Sequence, residues 1–466
     1  MPGKWGSFCG IRLLPNKTQT QKEHPKVMPS YNSSTLKPKR KIAEEFTLKR
    51  ATGFGGFNLL ADFMDSIGFS EIVSRSIAIE KAHWADYPLS TMIEMIVQGY
   101  VCGLQRPYHF EAIQGDPLIT HKFGLEHLPD DTLFNKDLKR FDSEEKVRQL
   151  LRIHWNVVED QCKQAKRLVL DFDSTVETVY GNQENSAVGY NPHKHGRASY
   201  HPLLAFEGAS GLSLNATLRS GNTTSMTEAV AFIQETLAMY PTREQLARLD
   251  KGFDSNEIME TLEEEKAGYV IKMRCMSALG TAILEIPKKK WRRISDEEGE
   301  AEITAFRYRA GSWSRRRRVV VVRRLTDEGS QRSFWDEWGY SYSAYVTNFD
   351  WAPLDVYRFY NHRGNTENLI KEGKYGFGIN QIPTGDFFPN WANLLLKLIA
   401  YNILLLFQRV LMPNGTSRLT SATFRRLFIT IPAQLVHRGG RWILKLPDRF
   451  AHQAAWWSAR HAFSSG

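Results

Sequence analysis

Cysteine is scarce: Cys9, Cys102, Cys162 and Cys275 are the only four in 466 residues, and no two form a Cys-x-x-Cys pair. That excludes a zinc ribbon or dithiol redox pair and fits a reducing compartment, the cytoplasm. The N-terminal stretch MPGKWGSFCGIRLLPNK lacks the apolar core of a signal peptide. The glycine-rich ATGFGGFN (51–58) lacks the Gly-Lys-Thr ending of a phosphate loop, so ATP hydrolysis is not indicated. Long uninterrupted apolar runs are also missing. The nearest, Trp391 to Met412, is broken by Asn393, Lys397, Asn402 and Gln408, each costly in lipid. It reads as a buried core helix, and no membrane partner is expected. No internal repeat marks a solenoid.

What is present is a folded chain with a basic balance. Hydrophobic residues make up 42% and aromatics 12%, enough for a large core shared by two to four domains. A net charge of +10 points to a polyanionic partner.

Texture along the chain suggests six regions. Residues 1–45 read as a flexible basic arm ending near Lys37-Pro38-Lys39-Arg40-Lys41. Residues 46–165 are helical in pattern, with apolar residues at three- and four-residue spacing in 88–104 and 143–162, and suit a DNA-binding region. Residues 166–274 alternate strands and helices. RLVLDFD (167–173) is a strand, ASYHPLLAFEG and GLSLNATLRSG form a hairpin, and Ser225–Tyr240 is a helix capped by Thr224 or Ser225. LARLD (246–250) is a strand, a helix follows over 254–265, and GYVIKMR (268–274) is another strand. Residues 275–350, with TAILEIPK, AEITAFRYR, RVVVVRRL and SYSAYVTN, read as an all-β insertion. It carries Arg315-Arg316-Arg317-Arg318 and the tryptophans Trp291, Trp313, Trp335 and Trp338, which are core residues by default. Residues 351–412 bring two helices (about 355–373 and 387–411) that complete the α/β unit. Residues 413–466 form a basic tail with a two-stranded ribbon turning at Gly439-Gly440.

Three acids stand where chemistry is expected. Asp173 ends the first strand and heads Asp-Ser-Thr. Asp171, two residues earlier, shares its face while the strand is regular, so pleat alone cannot choose between them. Asp173 is the better ligand candidate because the strand opens into a loop there. Asp250 closes LARLD and precedes Lys251-Gly252-Phe253, and the carboxyl end of a strand is a common place for α/β sites. The third is Glu367. Tyr360, Arg363, Glu367 and Lys374 are spaced by three, four and seven residues, which at roughly 100° per residue confines them to an arc of about 60° on one helix. Lys371 falls near the same stripe. A solvated face does not predict one acid between Arg363 and Lys374 with a tyrosine above it, whereas a metal-binding Glu among phosphate-binding cations does. Carboxylates of this kind converge on two divalent cations in phosphoryl transfer, and oxygen donors suit Mg²⁺, with Mn²⁺ as a substitute. His193, His195 and His201 read as a polar loop rather than a metal site.

The spacing Tyr-x-x-Arg-x-x-x-Glu-x-x-x-x-x-x-Lys, present as Tyr360, Arg363, Glu367 and Lys374, resembles the signature of insertion-sequence DDE transposases. LVLDFDSTVETVYGNQ and RLDKGFDS look like the group called insertion sequence thirteen-eighty, over roughly residues 50–450. The resemblance implies an α/β fold with a ribonuclease H-like core interrupted by a β insertion. It implies Asp173, Asp250 and Glu367 as catalytic metal ligands, with Tyr360, Arg363 and Lys374, and Lys371 beside them, near the DNA backbone. It further implies cut-and-paste transposition on double-stranded DNA, a homodimer when two ends are paired, and a bacterial, nucleoid-associated setting. Two other readings share parts of this pattern. A ribonuclease H-like nuclease without strand transfer would not need the helical N-terminal region, and a catalytically inactive transposase-derived DNA-binding protein would tolerate loss of an acid.

Overall fold

The computed structural model describes residues 42–192, 194–241, 243–325, 339–412 and 418–464. The chain divides into two units, Met1–Leu48 and Lys49–Gly466. In the first, residues 42–48 are exposed coil, and the basic run at 37–41 lies outside the described residues.

The second unit opens with a short strand, β1 (Ala51–Thr52), and then a run of helices: α1 (Phe57–Ser66), α2 (Phe69–Ser76), α3 (Leu89–Cys102), α4 (Pro117–Phe123), α5 (Asp131–Leu138) and α6 (Glu144–Gln164). Their starts are written in the sequence. Asp116, Asp130 and Ser143 each accept a hydrogen bond from a first-turn backbone N–H of α4, α5 and α6, respectively.

Next come β2 (Arg167–Ser174), β3 (Glu177–Thr178), β4 (Ala187–Val188), β5 (Ala198–Tyr200), β6 (Leu203–Glu207), β7 (Ser213–Thr217), α7 (Ala229–Ala238), β8 (Glu244–Leu249), α8 (Asn256–Glu264) and β9 (Gly268–Lys272). β6 and β7 form the expected hairpin. α7 starts later than expected. Its N-cap is Glu228 at φ 59°, with no capping side chain, because Thr224 and Thr227 instead bond to each other and to Arg219.

Beyond β9 lie α9 (Ser277–Leu284), β10 (Arg292–Asp296), β11 (Gly299–Tyr308), β12 (Arg317–Leu325) and β13 (Tyr340–Thr347). Residues 275–350 are therefore not all β. TAILEIPK, expected as a strand, instead supplies the end of the helix SALGTAIL, which buries Leu279, Gly280 and Ile283; so short an apolar run suits either state. The β strands here do not stand apart. β13 pairs antiparallel with β9, so one sheet of nine strands runs in the order β10-β11-β12-β13-β9-β8-β2-β6-β7. At its centre β8 lies parallel to β2 and to β9, while β6 runs antiparallel to both its neighbours, β2 and β7. A parallel strand covered on both faces reads as a near-continuous apolar run, which is why RLVLDFD stands out in the sequence.

The remaining elements are α10 (Pro353–Asn361), α11 (Gly364–Phe377), α12 (Phe387–Leu411), α13 (Ser421–Phe428), β14 (Ala433–Arg438), β15 (Arg441–Lys445) and α14 (Gln453–Ser464). α12 is long and apolar enough to cross a membrane, yet it packs on α3, α6 and β7 and is buried inside the protein. Its polar interruptions are satisfied: Asn393 accepts from the Tyr100 hydroxyl at 2.6 Å, Asn402 exchanges bonds with the Ser213 backbone, and Lys397 donates to the carbonyls of Gly378 and Gln381. β14 and β15 form the hairpin expected at the tail, but not as a two-stranded ribbon: β1 pairs antiparallel with β14 and makes a three-stranded sheet. Gly439 and Gly440 both take positive φ, 58° and 72°, as a tight two-residue hairpin turn requires.

Candidate active site

The register of the central strands brings two of the acids together. Phe172 on β2 pairs with Leu249 on β8 in a parallel ladder, so Asp173 and Asp250, each one residue further on, leave the sheet side by side at its carboxyl edge. Asp250 then turns back, accepting from the backbone N–H of Gly252 at 2.8 Å.

Asp171 and Asp173 have different partners. Asp171 is buried and closed in a bidentate pair with Arg248, Nε–Oδ1 2.6 Å and Nη2–Oδ2 2.7 Å, and Arg248 also donates to the carbonyl of Phe359. Asp173 stands at the opening, where its Oδ1 accepts from the Ser174 N–H at 2.8 Å and its Oδ2 lies 3.1 Å from Arg363 Nη2.

The stripe predicted on one helix is split across two. α10 ends at Asn361, His362 and Arg363 form a turn, and α11 starts at Gly364 with Arg363 as its N-cap. Bonds from Arg363, Asn365 and Thr366 N–H to carbonyls three residues back tighten the chain there. The break leaves Arg363 free to turn inward, where its guanidinium is buried and also donates to the Phe172 carbonyl at 3.0 Å. Its Nε has no hydrogen-bond partner among the described residues.

Asp250, Tyr360, Arg363 and Glu367 line one cleft of about 540 Å³, together with Lys251, Lys272 and Arg324. Tyr360 packs its ring on Tyr345, centroids 4.7 Å apart, and burial pushes its hydroxyl up to about 12, so it stays a neutral donor. Glu367 sits exposed in the first turn of α11. Lys374, two turns on, reaches the Val176 carbonyl at 3.4 Å behind Asp173, and Lys371 is exposed.

Burial pushes the Asp173 carboxyl up to about 6. Arg363 opposes the shift, and the negative charges of Asp250 and Glu367 add to it. An acid raised by the charges of two neighbouring carboxylates belongs to a donor set that a hard divalent cation neutralises. Among the described residues no three His, Cys, Asp or Glu side chains are already drawn together as a metal cage. Bare carboxylates repel, and one oxygen of Asp173 is held by Arg363. Of the histidines, His201 is buried and bonded to the Thr223 carbonyl, His195 is exposed, and His193 lies outside the described residues.

A family model described as transposase DDE domain group 1 matches residues 34–464. The chain belongs to this family of DDE transposases. No curated protein matches it. Among solved structures, the piggyBac transposase in its synaptic complex with hairpin DNA is similar over 80% of this chain and 78% of that one, at 11% identity and a TM-score of 0.46.

Two residues around the acids of this transposase escaped the sequence. Arg248 lies inside the strand LARLD, and only the β2–β8 register shows that it faces Asp171. Glu177 lies buried on β3 with neither carboxylate oxygen bonded among the described residues, and burial pushes it up to about 7 against the pull of Lys374 and Lys397. An acid four residues beyond Asp173 in a polar loop gave no signal of that burial.

Proposed function

We propose that this transposase binds the terminal inverted repeats of its own element, cleaves the DNA at their ends and joins the freed 3′ ends to a target, by cut-and-paste transposition. The observation that carries the reading is the side-by-side exit of Asp173 and Asp250 from β2 and β8, with Arg363 bridging from Asp173 to the cleft that holds Glu367.

In this reading Asp173, Asp250 and Glu367 would hold Mg²⁺, or Mn²⁺ in its place, which supplies activation of the attacking oxygen and stabilisation of the leaving one. Arg363, fixed through Nη2 by Asp173 and the Phe172 carbonyl, lines the cleft, where its guanidinium would meet a phosphate oxygen near the scissile bond. The Tyr360 hydroxyl, protonated at neutral pH, donates to the same backbone, and Lys374 and Lys371 extend the positive lane along α11. Water cleaves one strand to leave a 3′-hydroxyl, and that hydroxyl attacks the opposite strand to close a hairpin on the excised element. After the hairpin opens, the 3′ end attacks target DNA at the same acids.

The strand order β7-β6-β2-β8-β9, with β6 reversed, supports a ribonuclease H-like core over 166–274 and 351–412. We place end recognition in the helical region 46–165, and read the chain as a member of the thirteen-eighty group that works as a homodimer on paired ends, in association with the bacterial nucleoid. The test is strand transfer from pre-cut end DNA to a plasmid with Mg²⁺. Asp173→Ala, Asp250→Ala and Glu367→Ala each abolish joining while end binding persists.

A further inference from the structure

The run Arg315-Arg316-Arg317-Arg318 leads into β12, where alternation sends neighbouring side chains to opposite faces. Arg317 is buried and grips Glu263 through Nε at 2.8 Å and Nη2 at 2.9 Å, and Arg315 pairs with the same carboxylate. Arg318 points the other way and is pinned at the opposite rim, its Nη1 donating to the carbonyls of Phe349 at 2.8 Å and Trp351 at 2.7 Å. The β11–β12 register then sets Arg307 directly opposite Arg318. Like charges in that position destabilise a sheet. Arg307 and Arg316 are exposed, and neither forms an ion pair with a described residue.

These side chains line a cleft of about 640 Å³ that holds five arginines against two acids, Asp350 and the Glu263 already engaged by Arg315 and Arg317. The cleft and the candidate active site lie toward opposite ends of one face of β12, with Val320 between them packed under α10. Arg318 and Val322 share a face of β12 about 13 Å apart along the strand, and Val322 lines the cleft of Asp250 and Glu367. That span equals about four nucleotides of rise on a duplex strand.

We propose that this cleft is a second phosphate-binding site, in which Arg307, Arg316 and Arg318 hold the backbone of the DNA duplex a few nucleotides from the bond cut at the acids. The proposal rests on the reading of the protein as a transposase acting on DNA. An opposed pair of guanidiniums, one of them pre-oriented by two carbonyls, is suited to a bridging phosphate, and a contact of this kind positions DNA without reading its sequence.

The test is binding of the full chain to fluorescent element-end duplex across 50–300 mM salt, comparing the wild type with Arg307→Gln/Arg316→Gln, which removes two exposed side chains that form no ion pair with a described residue. Each lost phosphate contact lowers the slope of log K against log salt by about 0.9. The double variant is expected to show a slope shallower by about 2, affinity lost to a similar extent for end and scrambled duplex, and a Tm unchanged or raised. A variant slope equal to that of a salt-sensitive wild type overturns this inference and leaves the transposase reading intact. A wild type that binds no duplex overturns both. Poly-glutamate bound through these two arginines more tightly than DNA would assign the cleft to an acidic protein and also overturn the proposal.

Discussion

Arg363 Nη2 lies 3.1 Å from Asp173 Oδ2, while the same guanidinium donates to the carbonyl of Phe172 one residue earlier. This contact ties the turn between α10 and α11 to the end of β2. It makes the position of Glu367 depend on the strand that carries Asp173.

The two aspartates of β2 should therefore respond differently to substitution. Asp171→Ala leaves Arg248 charged, buried and without its carboxylate, which costs about 3–5 kcal/mol. Asp173→Ala strips Arg363 of its carboxylate but leaves it the Phe172 carbonyl and removes an acid whose desolvation opposes folding, so it costs less stability than Asp171→Ala while abolishing strand joining. Chemical denaturation of both variants beside a joining assay separates the roles. Equal loss of stability in the two would contradict this division.

The raised Asp173 pKa also fixes a pH dependence. An acid at about 6 in the folded state and near 3.8 when unfolded binds more protons folded, so its contribution to stability is lost as pH rises through that window. Without added metal, Asp173→Asn should raise Tm at pH 7.5 and leave it nearly unchanged at pH 3.5. Cation binding needs the ionised acids, so Mg²⁺ should raise the wild-type Tm more at pH 7.5 than at pH 5. Differential scanning fluorimetry across pH, with Mg²⁺ or EDTA, measures both shifts. A Mg²⁺ effect of the same size at both pH values would count against the acids as its site.

Tyr360 combines packing with a polar tip. Tyr360→Phe keeps the ring against Tyr345 and Val356, so Tm holds while joining falls about tenfold, the worth of roughly one net hydrogen bond. Tyr360→Ala empties a buried site and costs about 3–5 kcal/mol. Joining by Tyr360→Phe at the wild-type rate would remove the hydroxyl from the account.

Much of this layout is legible in the sequence. RLVLDFD and LARLD announce strands by short runs that stop at an acid, and Gly439-Gly440 announces its turn because two positive-φ residues in a row call for glycine. Other features depend on tertiary contacts. The stripe Tyr360, Arg363, Glu367 and Lys374 fits one helix as well as two in series, since a two-residue turn of nearly helical conformation preserves the spacing. SALGTAIL is short and apolar enough to suit either state. The separate roles of Asp171 and Asp173 are set by Arg248 and Arg363, which lie 77 and 190 positions further along the chain and meet β2 only in the folded sheet.

Glu367 tests the central claim most directly, because it is exposed and its loss should leave the fold intact. The measurement is strand transfer of pre-cut end DNA into a plasmid in Mg²⁺ by Glu367→Ala, alongside end binding by the same preparation. The predicted result is end binding at wild-type affinity with joining reduced to background. Joining at a rate comparable to wild type would show that the cleft of Asp250, Arg363 and Glu367 is not where the chemistry occurs.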